Sequence, residues 1–215
     1  MDNTDKIVIK IKNVTKTFKN QKVLSDINLN LQKGRIYGIK GRNGSGKTML
    51  LRVISGLVIP SSGEVYVNDK NITKNNTLPE NIGALIETPG FINYYSGFKN
   101  LKILASIKNK INDEKIHTTL KLLGIDDVCN KKVRTYSLGM RQRLGIAQAL
   151  MEDPEILLLD EPTNALDKEG IMTLHSILKN LKESGVTIVL SSHNKEDIDL
   201  LCDTVLEMDN GNLII

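Results

Sequence analysis

Gly41-Arg42-Asn43-Gly44-Ser45-Gly46-Lys47-Thr48 decides the reading of this chain. Two outer glycines separated by four residues and followed by Lys-Thr form the phosphate-binding loop pattern. The segment before it, Arg35-Ile36-Tyr37-Gly38-Ile39, is short and mostly apolar and reads as a buried strand. The segment after it, Met49-Leu50-Leu51-Arg52-Val53-Ile54, has helical character. Strand, glycine loop and helix are the context this motif needs. Glycines let backbone N–H groups turn inward around phosphate oxygens, where side chains would block them. The helix that follows points its positive end at the same phosphates. Lys47 is placed to reach the β- and γ-phosphates and the Thr48 hydroxyl to ligate Mg²⁺.

Outward from the loop, the chain alternates. Ile7–Ile11, Val23–Leu31 and Gly63–Val67 read as strands, the second alternating over Ile27, Leu29 and Leu31. Asn81 to Glu87 reads as a strand that ends on an acid. From Thr88 to Met151 the pattern turns helical, with Leu101, Leu104, Ala105 and Ile107, then Ile116, Leu120, Leu122 and Leu123. Strand character returns at Ile156–Leu159, then a helix over Lys168–Glu183, the strand Val186–Leu190 and a short helix. Asp209-Asn210-Gly211 is a turn signal, and Asn212–Ile215 reads as a last strand. The expected fold is α/β: a P-loop NTPase (RecA-like) core with an antiparallel β subdomain and an inserted α-helical subdomain. One domain is expected, with its core in 1–87 and 152–215 and its helical part in 88–151.

Composition sets outer bounds. The chain has 215 residues, 40% hydrophobic and 25% charged, ordinary for a globular domain with a substantial core. The formal charge of +4 is spread over scattered lysines, which reads as a solvated surface rather than a nucleic-acid face. Cys129 and Cys202 stand alone and lack metal-ligand spacing, so free thiols in a reducing cytosol are expected. The start, Met1-Asp2-Asn3-Thr4-Asp5-Lys6, lacks the layout of a secretory signal, and no apolar run is long enough to span a membrane.

Two further segments carry chemistry. Ile156-Leu157-Leu158-Leu159-Asp160-Glu161 is a buried-strand run ending in two carboxylates. Asp160 is expected to hold Mg²⁺, and Glu161 to orient or deprotonate an attacking water. Tyr136-Ser137-Leu138-Gly139-Met140-Arg141-Gln142-Arg143 opens a helix that Ser137 can cap. On its own that segment is a capped surface helix, though a helix start beside glycine can also bind phosphate. His117 and His175 have no comparable context and read as surface helix residues.

Order and spacing of Lys47, Glu87, Ser137, Asp160 and His193 resemble the ATP-binding-cassette (ABC) ATPases over essentially the whole chain. Asn164-Ala165-Leu166-Asp167 resembles the family's D-loop, and Ser192-His193 its switch histidine. The resemblance implies ATP and Mg²⁺ as ligands, with Phe18 stacking on adenine and Gly41, Asn43, Gly44, Ser45 and Gly46 at the phosphates. Lys47, Thr48 and Met49 continue that nucleotide-binding set, and Thr48, Glu87 and Asp160 form the metal set. Glu161, His193 and Lys47 would be catalytic, with His193 linking the γ-phosphate to Glu161. Two copies, or two related ATPase subunits, would sandwich ATP head-to-tail, so that Ser137 and Gly139 of one face the phosphate loop of the other.

Two departures stand out. Leu138 occupies the place where the family's signature has its first glycine, and Glu87 the place where most members have glutamine. Together these resemble the branch with bacitracin-resistance and lantibiotic-immunity exporters. That resemblance implies a cytoplasmic ATPase subunit, held at the inner face of the cell membrane by a separate transmembrane permease and acting on no nucleic acid. A non-transport ABC ATPase, such as an iron–sulfur-assembly factor, is the alternative. A kinase or GTPase is disfavoured by Ser137 and His193. Phe91, Tyr94, Tyr95 and Phe98, half of the chain's eight aromatics, are expected to meet the membrane partner.

Overall fold

The computed structural model describes residues 6–74, 77–88 and 90–214. Two sheets organise them. Strands β1 (Ile7–Phe18), β2 (Gln21–Gln32), β4 (Ser62–Val67) and β5 (Lys70–Asn71) form an antiparallel sheet in the order β2-β1-β4-β5. β1 runs well past the expected Ile7–Ile11. Its alternation breaks at Asn13, which sits at φ 48°, and the register with β2 shifts between Ile11 and Val14. A bulge of this kind changes the phase of the apolar positions while the strand continues. Ile215 and the first five residues, named above in the last strand and the N-terminal segment, lie outside the described residues.

The second sheet has the order β10-β9-β3-β8-β7-β6, built from β3 (Ile36–Lys40), β6 (Ile82–Leu85), β7 (Ile156–Asp160), β8 (Thr187–Ser191), β9 (Thr204–Asp209) and β10 (Asn212–Ile214). All its pairings are parallel except β9 with β10. Every residue of β7 and β8 is buried, which is why both read as unbroken apolar runs. β9 was not expected. Only Leu206 and Met208 face inward, with Val205 and Glu207 outward, so it lacks such a run and is specified by its ladder to β3.

Alternate residues of β7 separate two cores, as the period of a strand requires. Leu157 and Leu159 pack with α2 (Gly97–Lys108), α3 (Asp113–Leu122), α4 (Leu138–Leu150) and α5 (Lys168–Glu183) through Leu101, Leu120, Leu144 and Leu174. Ile156 and Leu158 pack with α1 (Lys47–Ile54) and the antiparallel sheet through Leu51, Ile27 and Val65. Each fully buried side chain of this size contributes about 1.5–3 kcal/mol of transfer free energy. Gly83 lets β6 approach α4 closely, since a Cβ there would run into the Ala149 carbonyl.

The helical stretch begins later than Thr88. Residues 88 and 90–96 form no helix, and α2 starts behind Ser96, whose side chain accepts the Lys99 N–H. Short 3₁₀ turns at Asp126–Val128 and Val133–Thr135 lead into α4. A last helix, α6 (Lys195–Leu201), follows β8. Among the described residues no helix is long and apolar enough to cross a membrane. The carboxyl ends of β3, β6, β7 and β8 lie side by side in the sheet and deliver Gly41, Glu87, Asp160 and Ser191 to one edge. That edge is where open parallel sheets bind ligands.

Candidate nucleotide site

The glycine loop is lined by backbone, and the side chain that reaches back into it is Lys47. Gly46 caps α1 at φ 108°, a region L-residues rarely adopt, and an added Cβ would stand 2.9 Å from the Val23 carbonyl. A Cβ on Gly44 would meet nothing, so that face of the loop is open. Ser45 is buried, and its hydroxyl is the one buried side-chain polar atom among the described residues without a hydrogen-bond partner. Lys47 is 6% exposed and donates to the Gly41 and Arg42 carbonyls at 2.7 and 3.3 Å. Its one ion-pair contact, Glu161 Oε1, lies 4.0 Å away. A buried ammonium, an orphaned hydroxyl and a helix N-terminus around one cradle fit an anion with several acceptor oxygens, as a nucleotide's phosphates are. Asn43 lies exposed on the rim, while Met49 is half-buried against the α1 core.

Behind the loop, the metal-ligand types stand together. Thr48 Oγ1 donates to Asp160 Oδ2 at 2.7 Å, and Ser191 Oγ donates to Asp160 Oδ1 at 2.5 Å. A hydroxyl and a carboxylate at this spacing are the hard oxygen donors that suit Mg²⁺. Ser191 was not anticipated from sequence. Its hydroxyl also accepts the Glu161 N–H at 3.0 Å, so one side chain positions both acids. Glu161 sits at φ 48°, a strained conformation for a residue with a Cβ. Its carboxylate accepts from His193 twice, through Nδ1 at 2.7 Å and the backbone N–H at 3.2 Å. Nδ1 carries a proton toward Glu161, and Nε2, across the ring, faces away from that acid. Gln142 of α4 donates to the Pro162 carbonyl at 3.0 Å, tying the helical part to the loop after Glu161.

A buried carboxylate braces these loops from below. Asp197 is 2% exposed and accepts from Thr163 Oγ1 at 2.7 Å, His175 Nε2 at 2.9 Å and Ser192 Oγ at 3.3 Å. Thr163 follows Glu161 by two residues, and Ser192 precedes His193. His175 is therefore no surface residue: its side chain is 15% exposed and shared between α5 and α6. Helical spacing alone could not show that its outward-reading position is covered by α6. His117 is half-exposed, as expected, but it stacks on Phe98 with ring centroids 4.6 Å apart and contacts Asp126.

The remaining expected residues divide. Glu87 lies two residues past the end of β6 at φ 62° and is held in an ion pair by Arg52 at 2.5 Å, not by the Thr48–Asp160 pair. Arg52 is one helical turn beyond Thr48 on α1, so the residue that holds Glu87 shares a helix face with a metal-ligand candidate. Phe18 is 47% exposed at the end of β1, with Lys16 Nζ 4.8 Å from its ring centre, and is not part of the core. Ser137 caps α4 by accepting the Met140 N–H at 3.2 Å, and is exposed together with Leu138. An added Cβ on Gly139 would stand 2.8 Å from the Ala165 carbonyl, so this segment packs on residues 164–167. Asp167 caps α5; the Gly170 N–H, and then Arg143 at 2.7 Å, hold its carboxyl below the usual range.

Comparison with known proteins places this geometry. The family described as ABC transporter matches residues 24–164. An uncharacterized ABC transporter ATP-binding protein of Bacillus subtilis (strain 168), YybJ, is 46% identical over 96% of this chain and 94% of its own length. The bacitracin transport ATP-binding protein BcrA of Enterococcus faecalis is 41% identical over 96% of this chain and 68% of its own. A solved dimeric ATP-binding cassette in a post-hydrolysis state, bound to ADP and Pi, superposes with a TM-score of 0.88 at 28% identity, covering 96% of this chain and 97% of that one.

Proposed function

We propose that this chain, which belongs to the ABC transporter family as an ATP-binding ATPase cassette, powers an exporter whose membrane-spanning part is a separate permease. The observation that carries the reading is the joined constellation of Lys47, Thr48, Asp160, Glu161 and His193 at the edge of the parallel sheet. Lys47 and the loop N–H groups hold the β- and γ-phosphates of ATP. Thr48 and Asp160 would hold Mg²⁺, which supplies charge neutralisation at the phosphates when bound. Glu161 orients the attacking water and accepts its proton, and His193 keeps that carboxylate aimed while Nε2–H of its doubly protonated ring donates to the γ-phosphate.

The rest of the reading follows from what one chain leaves incomplete. Ser137 and Gly139 open a helix whose start is exposed at Ser137 and Leu138, and a second cassette, identical or related, would use it head-to-tail on its own ATP. The similar solved cassette is dimeric, which supports this arrangement. Glu87 would join the metal set only by leaving Arg52, and the arginine cancels its charge until then. Release of that pair is a route by which the nucleotide site moves residues 88–98. Phe18, exposed at the end of β1, would stack on adenine. The chain works as one cassette, with its helical part in 88–151 carrying the permease contact at the inner face of the cell membrane. Bacitracin transport by a similar protein, and the resemblance to lantibiotic-immunity exporters, point to an antimicrobial peptide as cargo.

Steady-state ATP hydrolysis by the purified chain, with and without Mg²⁺, tests the core of this reading. Mg²⁺-dependent turnover that disappears in Glu161→Gln while ATP binding persists supports it. Binding lost equally in Glu161→Gln and Lys47→Ala would overturn the assigned roles.

A further inference from the structure

We propose that His117, Asp126 and Cys129 form a binding site for a divalent cation of the zinc class in the helical part of the chain. Their ligand atoms, His117 Nδ1, an Asp126 carboxylate oxygen and Cys129 Sγ, lie within 4.8 Å of one another. In sequence they are scattered, and nothing in their spacing resembles a zinc motif. The fold assembles them. Asp126 and Cys129 occupy positions i and i+3 of one 3₁₀ turn, closed by the Cys129 N–H bonding the Asp126 carbonyl at 3.0 Å. Side chains three apart on a 3₁₀ turn eclipse, so carboxylate and thiol project from the same side. His117 comes across from α3, its ring stacked on Phe98 at an interplanar angle of 23°. Stacking fixes the ring orientation before any ion arrives.

The chemistry of the set selects the ion. Thiol, imidazole and carboxylate together are borderline-soft donors, suited to Zn²⁺ and poorly suited to Mg²⁺ or Ca²⁺. Three protein ligands leave a fourth tetrahedral position for water. Bond lengths of about 2.0–2.3 Å require ligand atoms roughly 3.3–3.7 Å apart. His117 Nδ1 and Asp126 Oδ1 are now 2.7 Å apart and share a proton. They must open slightly to admit an ion. Both rim side chains are partly exposed, at 45% and 35%, so the Asp126 carboxylate has room to swing beside the stacked ring, while Cys129 forms the buried floor. Burial and the neighbouring Asp126 carboxylate push the Cys129 thiol up. Zn²⁺ is held by the thiolate, so binding releases the thiol proton.

The site sits where an ion would stiffen a surface of interest. The Cys129 carbonyl accepts the Phe98 N–H at 2.9 Å, and the Tyr136 hydroxyl donates to the Val128 carbonyl at 2.9 Å. One ion would thereby clamp α3, the 3₁₀ turn and the start of α2, just beyond Tyr94 and Tyr95.

Co²⁺ is the probe, added to the full nucleotide-free, Mg²⁺-free protein, with Zn²⁺ as competitor. The expected result is one equivalent of Co²⁺ with a thiolate-to-metal charge-transfer band, displaced by Zn²⁺. Cys129→Ser should abolish the band, and Cys202→Ser should leave it intact. His117→Gln and Asp126→Asn change partly exposed groups, preserve the fold, and should each weaken Co²⁺ binding by at least about tenfold. Zn²⁺ should raise the unfolding temperature of the wild type and lose that effect in both variants. No charge-transfer band in the wild type, a band that follows Cys202, or full affinity in both rim variants would overturn the site.

Discussion

The phosphate end and the Ser137 end of this molecule are built in opposite ways. At the phosphate end, Lys47, Thr48, Asp160, Glu161, Ser191 and His193 are bonded to one another or to the loop, and Ser191 and Lys47 are buried. At the other end, Ser137 is exposed, its hydroxyl engages only its own helix, and Leu138 beside it is 66% exposed. The first site is held in place when the chain folds, so little ordering is left for the moment of binding. The second displays a helix start to solvent. It acquires a ligand only from outside the chain, which is the arrangement expected of a site shared between two molecules.

The difference can be broken at either end. The largest effect is expected at the phosphate end, where Glu161→Gln should lower turnover by about 10²–10⁴ while retaining ATP binding. Lys47→Ala should lose the binding itself, and a nucleotide-binding titration beside an ATPase assay separates the two. A Glu161→Gln variant that turns over normally would move the base elsewhere.

Next comes the brace beneath that end. Asp197→Ala leaves Thr163, Ser192 and His175 without their shared acceptor, at a cost of roughly 1–3 kcal/mol in chemical denaturation. Because Thr163 and Ser192 flank Glu161 and His193, kcat should fall more than ATP affinity. Asp197→Asn keeps one acceptor oxygen and should recover part of both. Unchanged kcat in a folded Asp197→Ala chain would reduce Asp197 to a packing residue.

At the exposed end the expected pattern reverses. Ser137→Ala should cost about 1 kcal/mol of stability through the lost helix cap. Introduced into Glu161→Gln, it should abolish or weaken an ATP-dependent dimer seen by sedimentation. Dimerisation that ignores Ser137 would remove the sharing inferred from its exposure, and an ATP-independent dimer would do the same.

Smallest in the isolated chain are the effects at the membrane-facing surface. Phe91 and Phe98 are partly buried against the helical core, whereas Tyr94 and Tyr95 are 72% and 36% exposed. Alanine at both tyrosines should shift stability by less than about 0.5 kcal/mol and leave basal ATPase intact, yet weaken assembly with a permease in a pull-down. Unfolding of that variant would place the tyrosines in the core. Glu87→Gln, which removes the charge that Arg52 now neutralises, should leave ATP affinity unchanged and alter the Mg²⁺ dependence of hydrolysis. A Mg²⁺ titration identical to the wild type would make Glu87 a surface acid.

The phosphate end was legible because its chemistry is local. Gly41–Thr48 and Ile156–Glu161 are contiguous runs in which residue type, spacing and strand or helix context agree. Even there, Ser191 and Gln142 escaped notice, since a serine ending an apolar strand and a glutamine in a helix carry no signal until the loops they touch are placed. β9 escaped for a related reason: Leu206 and Met208 alternate with an acid, and only β3 supplies the ladder that makes them a strand. The helical start was misplaced because apolar content continues through residues 88–96, while Ser96 is the cap that begins α2.

By itself the sequence determined the phosphate loop, the acidic strand end, the two all-buried strands and the family to which the chain belongs. Each rests on short runs whose side chains act through their own backbone. The tertiary structure alone decided that Glu87 is paired with Arg52, that His175 is covered and bound to Asp197, and that His117, Asp126 and Cys129 converge. These are meetings between separate elements, and neither the period of a helix nor the alternation of a strand says which neighbour will cover a given face.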